Sequence, residues 1–344
     1  SSKSGPNGHA LWTSYIDAHQ LDAYTLGCLQ TIGGDQLLNK IMDLRLLYSK
    51  IPDFFGPLGL KPEHARRLSA IQDKEGKTRL IAIGDYYSQA ALLPLHNYLH
   101  KLLDRINQDC TSDQTKLFHQ IVPTKGHKFH SVDLTAFTDL FPIEVNHLLI
   151  KVLFGKSYAD AWKHLMVGIP FDYQSQVVYY QTGNPMGLYS SWASTSLAHH
   201  FVVYLACQNA GRNWKKCPYM LLGDDIVIAD DNVYREYLTL LSELGCHVNM
   251  SKTHNSHHGF EFAKQIRLHG VNVSPFPLSA LFERQNEVIM TLGVVLSEIR
   301  SKNWDADVLG TLEEYYLQVF KWPRPRVRAT RPTFRLVIAL VTYL

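Results

Sequence analysis

Little in this sequence is extreme, and each shortfall removes a class of protein. Charged residues make up only 19% of 344, with 34 Lys plus Arg against 31 Asp plus Glu, for a formal net charge of +3. Disorder needs low hydrophobicity and high net charge, and a chain that is 46% apolar has neither. A balance this even also carries no overall electrostatic footprint of a nucleic-acid partner. No apolar run approaches the ~20 residues of a membrane-spanning helix; the longest, Leu336 to Val341, is far too short. Five scattered cysteines (Cys28, Cys110, Cys207, Cys217, Cys246) include no C-x-x-C pair. That excludes a zinc ribbon or disulfide scaffold and points to free thiols in a reducing compartment. The 17 histidines include His199-His200 and the group His254, His257 and His258. Without cysteine pairs at ligand spacing they read as core or solvated residues. No fixed-period repeat, low-complexity tract or targeting segment stands out. At ~100–200 residues per domain, the length suggests two or three units. Ser1 in place of Met, and an uncapped apolar end at Val341 to Leu344, read as a piece cut from a longer chain.

What is present is a mixed order of elements, so an α+β fold is favoured over a doubly wound parallel sheet. Helical spacing runs through residues 11–50 with a break at Gly33-Gly34. A hairpin is predicted over 71–85, its second strand Lys77-Thr78-Arg79-Leu80-Ile81-Ala82-Ile83 placing Lys77 and Arg79 on one face. A helix with a kink at Pro94 follows over 88–106, then a strand at 129–135 and an amphipathic helix after Pro142. Helices are expected over 190–210 and from Val233 to a stop at Gly245, and a further hairpin over 259–273.

Three segments carry chemistry. In Tyr219 to Ala229, two apolar runs flank Gly223-Asp224-Asp225. Adjacent carboxylates repel, and burial penalises them further. A divalent cation removes that penalty, although Gly-Asp is also ordinary hairpin-turn chemistry. Upstream, Asp133 ends a predicted strand and Asp139 follows one turn later. Asp133 with Asp224 can hold two Mg²⁺ between neighbouring strands, the arrangement of two-metal phosphoryl transfer. Between them, Gly183-Asn184-Pro185-Met186-Gly187 to Trp192 is a loop able to approach a ligand closely before a helix begins.

Taken in order, Gly76-Lys77-Thr78-Arg79, Asp133-x5-Asp139, Gly183 to Trp192 and Gly223-Asp224-Asp225 resemble the palm motifs of viral RNA-dependent RNA polymerases. The wording of Ser131 to Ala136, of Asn184-Pro185-Met186-Gly187 running into Ser190-Ser191-Trp192 and His199-His200, and of His258 to Lys264 resembles the mitoviruses, capsidless RNA replicons of fungal and plant mitochondria. The resemblance extends from Ser2 to about Pro277.

It implies a right-hand polymerase with an antiparallel palm sheet flanked by helices. Fingers would occupy 1–128, the palm 129–274 with an inserted fingers segment at 150–182, and a thumb 275–344. It also implies RNA-directed RNA synthesis with Mg²⁺, or Mn²⁺ as a substitute. The partners would be an RNA template and product strand and ribonucleoside triphosphates, with no membrane span and no capsid protein. The host mitochondrion is the expected location, the cytoplasm the alternative. By the same resemblance Asp133 and Asp224 coordinate metals with Asp225 in support, and Lys77 and Arg79 grip the triphosphate. Asp139, Gly187 and Ser191 lie at the nucleotide and its ribose, where Thr195 stands in place of an expected Asn. Lys252 is the general acid for departing pyrophosphate. Where relatives commonly show Gly-Thr-Phe before a Gln, this chain reads Asp109 to Gln114, in fingers territory.

Two rivals remain. A reverse transcriptase would usually carry an aromatic at Asp139 to exclude the ribose hydroxyl, and an inactive endogenised relic would only bind RNA. Finally, Lys321 to Arg335 is a Pro-containing basic tract, including Arg324, Arg326 and Arg328, that reads either as an RNA-backbone contact or as a solvated tail.

Overall fold

Apolar runs separated by turn residues build two four-stranded, mostly antiparallel sheets and three smaller ones among the described residues, with helices packed against them. The computed structural model describes residues 4–50, 66–72, 76, 78–283 and 287–343; Lys77 lies outside them. In chain order come β1 (Ser4–Gly5), β2 (Gly8–His9), α1 (Ala10–Gln20) and α2 (Ala23–Lys50), then β3 (Arg67–Gln72), β4 (Thr78–Ile83) and α3 (Tyr86–Leu103). Next are β5 (Phe129–Val132), β6 (Leu134–Thr135), α4 (Phe137–Leu140), α5 (Ile143–Phe154), α6 (Lys156–Lys163), β7 (Phe171–Tyr173) and β8 (Gln176–Val178). They are followed by α7 (Ser191–Asn209), β9 (Tyr219–Leu222), β10 (Asp225–Ile228), α8 (Asp231–Glu243), β11 (His247–Val248) and β12 (His254–Ser256). The chain continues through β13 (Gly259–Phe262), β14 (Gln265–Leu268), β15 (Val271–Asn272), α9 (Leu278–Glu283), α10 (Val288–Lys302), α11 (Val308–Gln318) and α12 (Arg324–Tyr343). It divides into two compact units, Ser1–His257 and His258–Leu344.

In the first unit the central sheet has the order β12-β5-β10-β9, every neighbouring pair antiparallel. Val132, Ile226 and Ile228 from this sheet share a core with Val202 and Val203 of α7 and Val233, Tyr237 and Leu241 of α8. The Asp230 carboxylate caps α8 by accepting from the Asn232 and Val233 N–H groups, and Gly245 at φ 71° ends the following turn.

The second sheet, β4-β3-β7-β8, contains the hairpin as β3 and β4, its first strand beginning at Arg67, upstream of the predicted span 71–85. Beneath it lies a core that includes Leu92, Trp162, Leu165 and Phe171. Helix α2 departs from helical geometry at Gly34, within the predicted Gly33-Gly34 break. Pro94 sits inside α3, which continues to Leu103. At the mouth of the β3–β4 hairpin the guanidinium of Arg66 meets the Asp85 carboxylate at 3.0 Å, both side chains fully buried. Asp85 also caps α3 by accepting from Ser88 N–H at 2.7 Å.

Asp17 of α1, only 1% exposed, ties the N-terminal hairpin to α3. Its carboxylate accepts from the Asn7 amide at 2.6 Å and from the Tyr86 N–H at 2.8 Å. Burial dominates those two bonds and pushes its pKa up to about 7. The folded chain therefore keeps a proton that the unfolded chain releases. This contribution to stability is complete below about pH 4 and is lost as the pH rises through 7. Asp17→Asn, neutral throughout, is expected to flatten the pH dependence of the urea midpoint between about pH 4 and 7. A midpoint that still falls as steeply as in the unmutated chain contradicts this.

In the second unit the expected hairpin over 259–273 is a three-stranded meander, β13-β14-β15, because Gly270 at φ 80° turns the chain once more. Helices α9–α12 enclose Leu292, Leu312, Tyr316 and Phe334. From Arg324 on, the basic tract is helical: α12 buries Val327 and Phe334, with Val337 just beyond the tract, and leaves Arg324, Arg326 and Arg328 exposed. No helix among the described residues is long and apolar enough to cross a membrane.

Candidate active site

The site is built at one end of the central sheet. Register pairs Ile226 with Val132 and Asp225 with Leu222. Extending the antiparallel ladder by one residue sets Asp133, just past β5, opposite Asp225 and beside Asp224. Asp224 is exposed at the tip of the turn, while Asp133 and Asp225 are half-buried. The turn thus avoids the burial penalty that its flanking apolar runs suggest, because the sheet ends there.

Local sequence explains the turn. Gly223 adopts φ 61°, and the indole of Trp192 presses over it so closely that a Cβ would collide with the ring. Beneath the turn, Nδ1 of His199 lies 2.8 Å from the Gly223 carbonyl and Nε2 lies 2.7 Å from the Tyr237 hydroxyl. Complete burial pushes the pKa of His199 down to about 3, so the ring is neutral. The neighbouring His200 sits between the Tyr219 hydroxyl and the Asp109 carboxylate, each at 2.9 Å. Backbone bonds also fasten Gln108 and Cys110 to Leu221. The Asp109 segment, unusual in sequence, therefore braces the strand that enters the turn.

A cavity of about 290 Å³ opens beside these carboxylates. Arg79, Gly187, Ser191, Thr195 and Asp224 all line it. Its glycine-rich wall is fixed from both sides. Ala82 N–H donates to the Met186 carbonyl at 2.7 Å, and the Gln89 amide donates to the Gly187 carbonyl at 3.0 Å while accepting from Tyr189 N–H at 2.8 Å. Gly187 stands at φ 119°, and a Cβ there would lie 2.5 Å from the Ala82 carbonyl oxygen. Gly187→Ala is accordingly expected to cost about 1–3 kcal/mol in urea unfolding and to displace the loop. A loss below about 0.5 kcal/mol would show that the wall yields freely.

Asp133, Asp139, Asp225 and Lys252 are not among the residues that line this cavity. Gly183 packs against the Asp139 main chain too closely for any Cβ, and Asn184 N–H donates to the Thr138 carbonyl at 2.8 Å. Asp139 is exposed, outside the cavity lining, and partial desolvation raises its pKa. Lys252 is exposed in a turn anchored to Asp133: Asn249 N–H donates to the Asp133 carbonyl at 2.8 Å, and Lys252 N–H to the Asn249 carbonyl at 3.1 Å. Thr195 accepts from the buried Asn146 amide at 3.0 Å. Lys77 cannot be placed, since it lies outside the described residues.

Sequence reasoning missed the supports: Trp192, His199, His200 with Asp109, Gln89 and Asn146. The adjacent histidines were the available signal, and their burial fits the core reading. Among the described residues no group of three or more His, Cys, Asp and Glu forms a ready-made metal cage. The donors at the sheet end are nevertheless the hard, accessible carboxylate oxygens that suit Mg²⁺.

The chain matches the mitovirus RNA-dependent RNA polymerase family over residues 1–321. It is 38% identical over 206 residues to the RNA-directed RNA polymerase of Cryphonectria parasitica mitovirus 1, covering 58% of this chain and 25% of that protein. An uncharacterized mitochondrial protein of Arabidopsis thaliana is 34% identical over 193 residues, 53% of this chain and 77% of that protein. In fold it is similar to the crystal structure of an insertion-loop deletion mutant of the RNA-dependent RNA polymerase of a human picorbirnavirus. That match has a TM-score of 0.52 at 16% identity, covering 80% of this chain and 61% of the other. The chain thus spans about a quarter of the mitovirus polymerase it matches. With the family model matched over residues 1–321, this chain belongs to the mitovirus RNA-dependent RNA polymerase family.

Proposed function

We propose that the sheet-end site performs RNA-templated addition of ribonucleotides to an RNA 3′-hydroxyl, replicating a viral RNA in mitochondria. The observation that carries this reading is the one cavity in which Arg79, Gly187, Ser191 and Asp224 meet, with Asp133 just past the end of the neighbouring strand β5. In this reading residues 1–128 and 150–182 act as fingers, the rest of 129–274 as palm and 275–344 as thumb.

Asp133, Asp224 and Asp225 would hold divalent cations, Mg²⁺ or Mn²⁺, whose chemistry is to acidify the attacking hydroxyl and neutralise charge on the phosphates. The Arg79 guanidinium forks onto triphosphate oxygens, with Lys77 adding a point charge. Ser191 and Thr195 offer hydroxyls to the sugar, and Asp139 supports this from its position behind Gly183. Lys252, on its Asp133-anchored turn, hands a proton to the departing pyrophosphate. On α12, Arg324, Arg326 and Arg328 contact RNA phosphates, with Arg326 lying 3.9 Å over the Trp322 ring. Affinity that falls with salt is the expected signature.

Sugar choice tests the reading. Given a primed RNA template, the chain is expected to extend with ribonucleotides and to use deoxyribonucleotides poorly. Preferential deoxyribonucleotide incorporation would overturn the RNA polymerase assignment in favour of reverse transcription.

A further inference from the structure

We infer that His199 is a positioning residue that holds the Gly223-Asp224-Asp225 turn in place through the Gly223 carbonyl. The inference rests on the polymerase reading of this site, but its geometry stands independently. The Gly223 carbonyl can only accept, so Nδ1, 2.8 Å away, must carry the ring hydrogen. A neutral ring then leaves Nε2 as acceptor, and the Tyr237 hydroxyl 2.7 Å away donates to it. The direction of both bonds is therefore fixed: Tyr237 on α8 orients the ring on α7, and the ring orients the turn.

Three features separate this from an ordinary buried histidine. The ring is fully buried, so no water can replace the bond if it is lost. It packs 4.8 Å from Phe137 and 5.8 Å from Tyr237, centroid to centroid, in an aromatic pocket that sets its plane. The bonded carbonyl belongs to the residue immediately before Asp224, at a left-handed φ of 61°, so the bond restrains the peptide that aims that carboxylate. Helix α7 also begins at Ser191 and carries Trp192 over the same glycine. One rigid helix therefore supports both the hydroxyl end of the cavity and the carboxylate turn, and His199 is the polar link between them.

The test uses the full chain with two substitutions. His199→Phe keeps a ring in the pocket and removes both nitrogens; His199→Asn restores a donor near the position of Nδ1. Displacing a reacting group by about 1 Å can cost ~10²-fold, so His199→Phe is expected to lower kcat for nucleotide addition about 10–100-fold. KM for the nucleotide and RNA affinity should stay within about threefold, as expected for an interaction that does not touch substrate. His199→Asn should recover most of the lost kcat. An unchanged kcat in His199→Phe, or His199→Asn no better than His199→Phe, overturns the inference. Mn²⁺ titration followed by electron paramagnetic resonance needs no turnover. Weaker Mn²⁺ binding by folded His199→Phe supports the inference, and equal binding overturns it. Absence of extension by the unmutated chain would count against the polymerase reading instead, and the Mn²⁺ comparison would still decide the role of His199.

Discussion

Asp224→Asn is expected to abolish nucleotide addition, by ~10³-fold or more, while leaving the folded chain and its RNA affinity intact. If the site carboxylates hold the metals as proposed, they would supply several kcal/mol of transition-state charge stabilisation, each ~1.4 kcal/mol being tenfold in rate. The lack of structural damage follows from position. Asp224 is exposed at the turn tip, and the turn itself is held by Gly223, Trp192 and His199. Single-turnover extension with thermal melting of the same samples checks both halves. A rate within tenfold of the unmutated chain removes Asp224 from the chemistry. A lost rate accompanied by unfolding leaves its role there unsupported.

Asp85→Ala carries the largest expected cost in stability. It strands the Arg66 guanidinium, which is completely buried and meets Asp85 at 3.0 Å. Breaking one side of a buried ion pair costs about 3–5 kcal/mol, and losing the cap on α3 adds about 1 kcal/mol. Burial already pulls the pKa of Arg66 down, and Asp85 is what opposes that shift. The loss reaches the site because Arg66 precedes β3 and Asp85 precedes α3, closing the mouth of the hairpin that carries Arg79. Urea unfolding should show the full cost in Asp85→Ala. It should show a smaller one in Arg66→Met with Asp85→Ala, because the double change leaves no buried charge. A single-mutant loss under about 1 kcal/mol would contradict the account of the pair.

These two residues also mark how far the sequence could be read. Asp224 was legible because the signal is local: four apolar residues, a glycine turn, two carboxylates, four apolar residues. Asp133 was legible as the end of a strand, and α8 through its apolar spacing and its stop at Gly245. The Arg66–Asp85 pair was not, since nothing in either segment says that its charge is buried against the other. The braces under the turn failed to appear for the same reason. His199 reaches Gly223, and His200 reaches Asp109, across many residues of chain. Histidine type alone separates a core residue from a support no better than that. In 259–273 the apolar alternation specifies strands but not their number, and the turn at Gly270 adds a third to the hairpin. In the basic tract, charge and proline masked the spacing of Val327, Phe334 and Val337 that makes α12 a packed helix.

The central claim is that the Asp133 carboxylate, just past β5, and those at the β9–β10 turn work together in templated RNA synthesis. It is tested most directly on a primed RNA template of defined sequence, with Mg²⁺ or Mn²⁺ and one ribonucleotide at a time. The account predicts that the unmutated chain adds only the complementary nucleotide and that Asp133→Asn, like Asp224→Asn, adds none. Addition that ignores the template, or that survives Asp133→Asn undiminished, would contradict it.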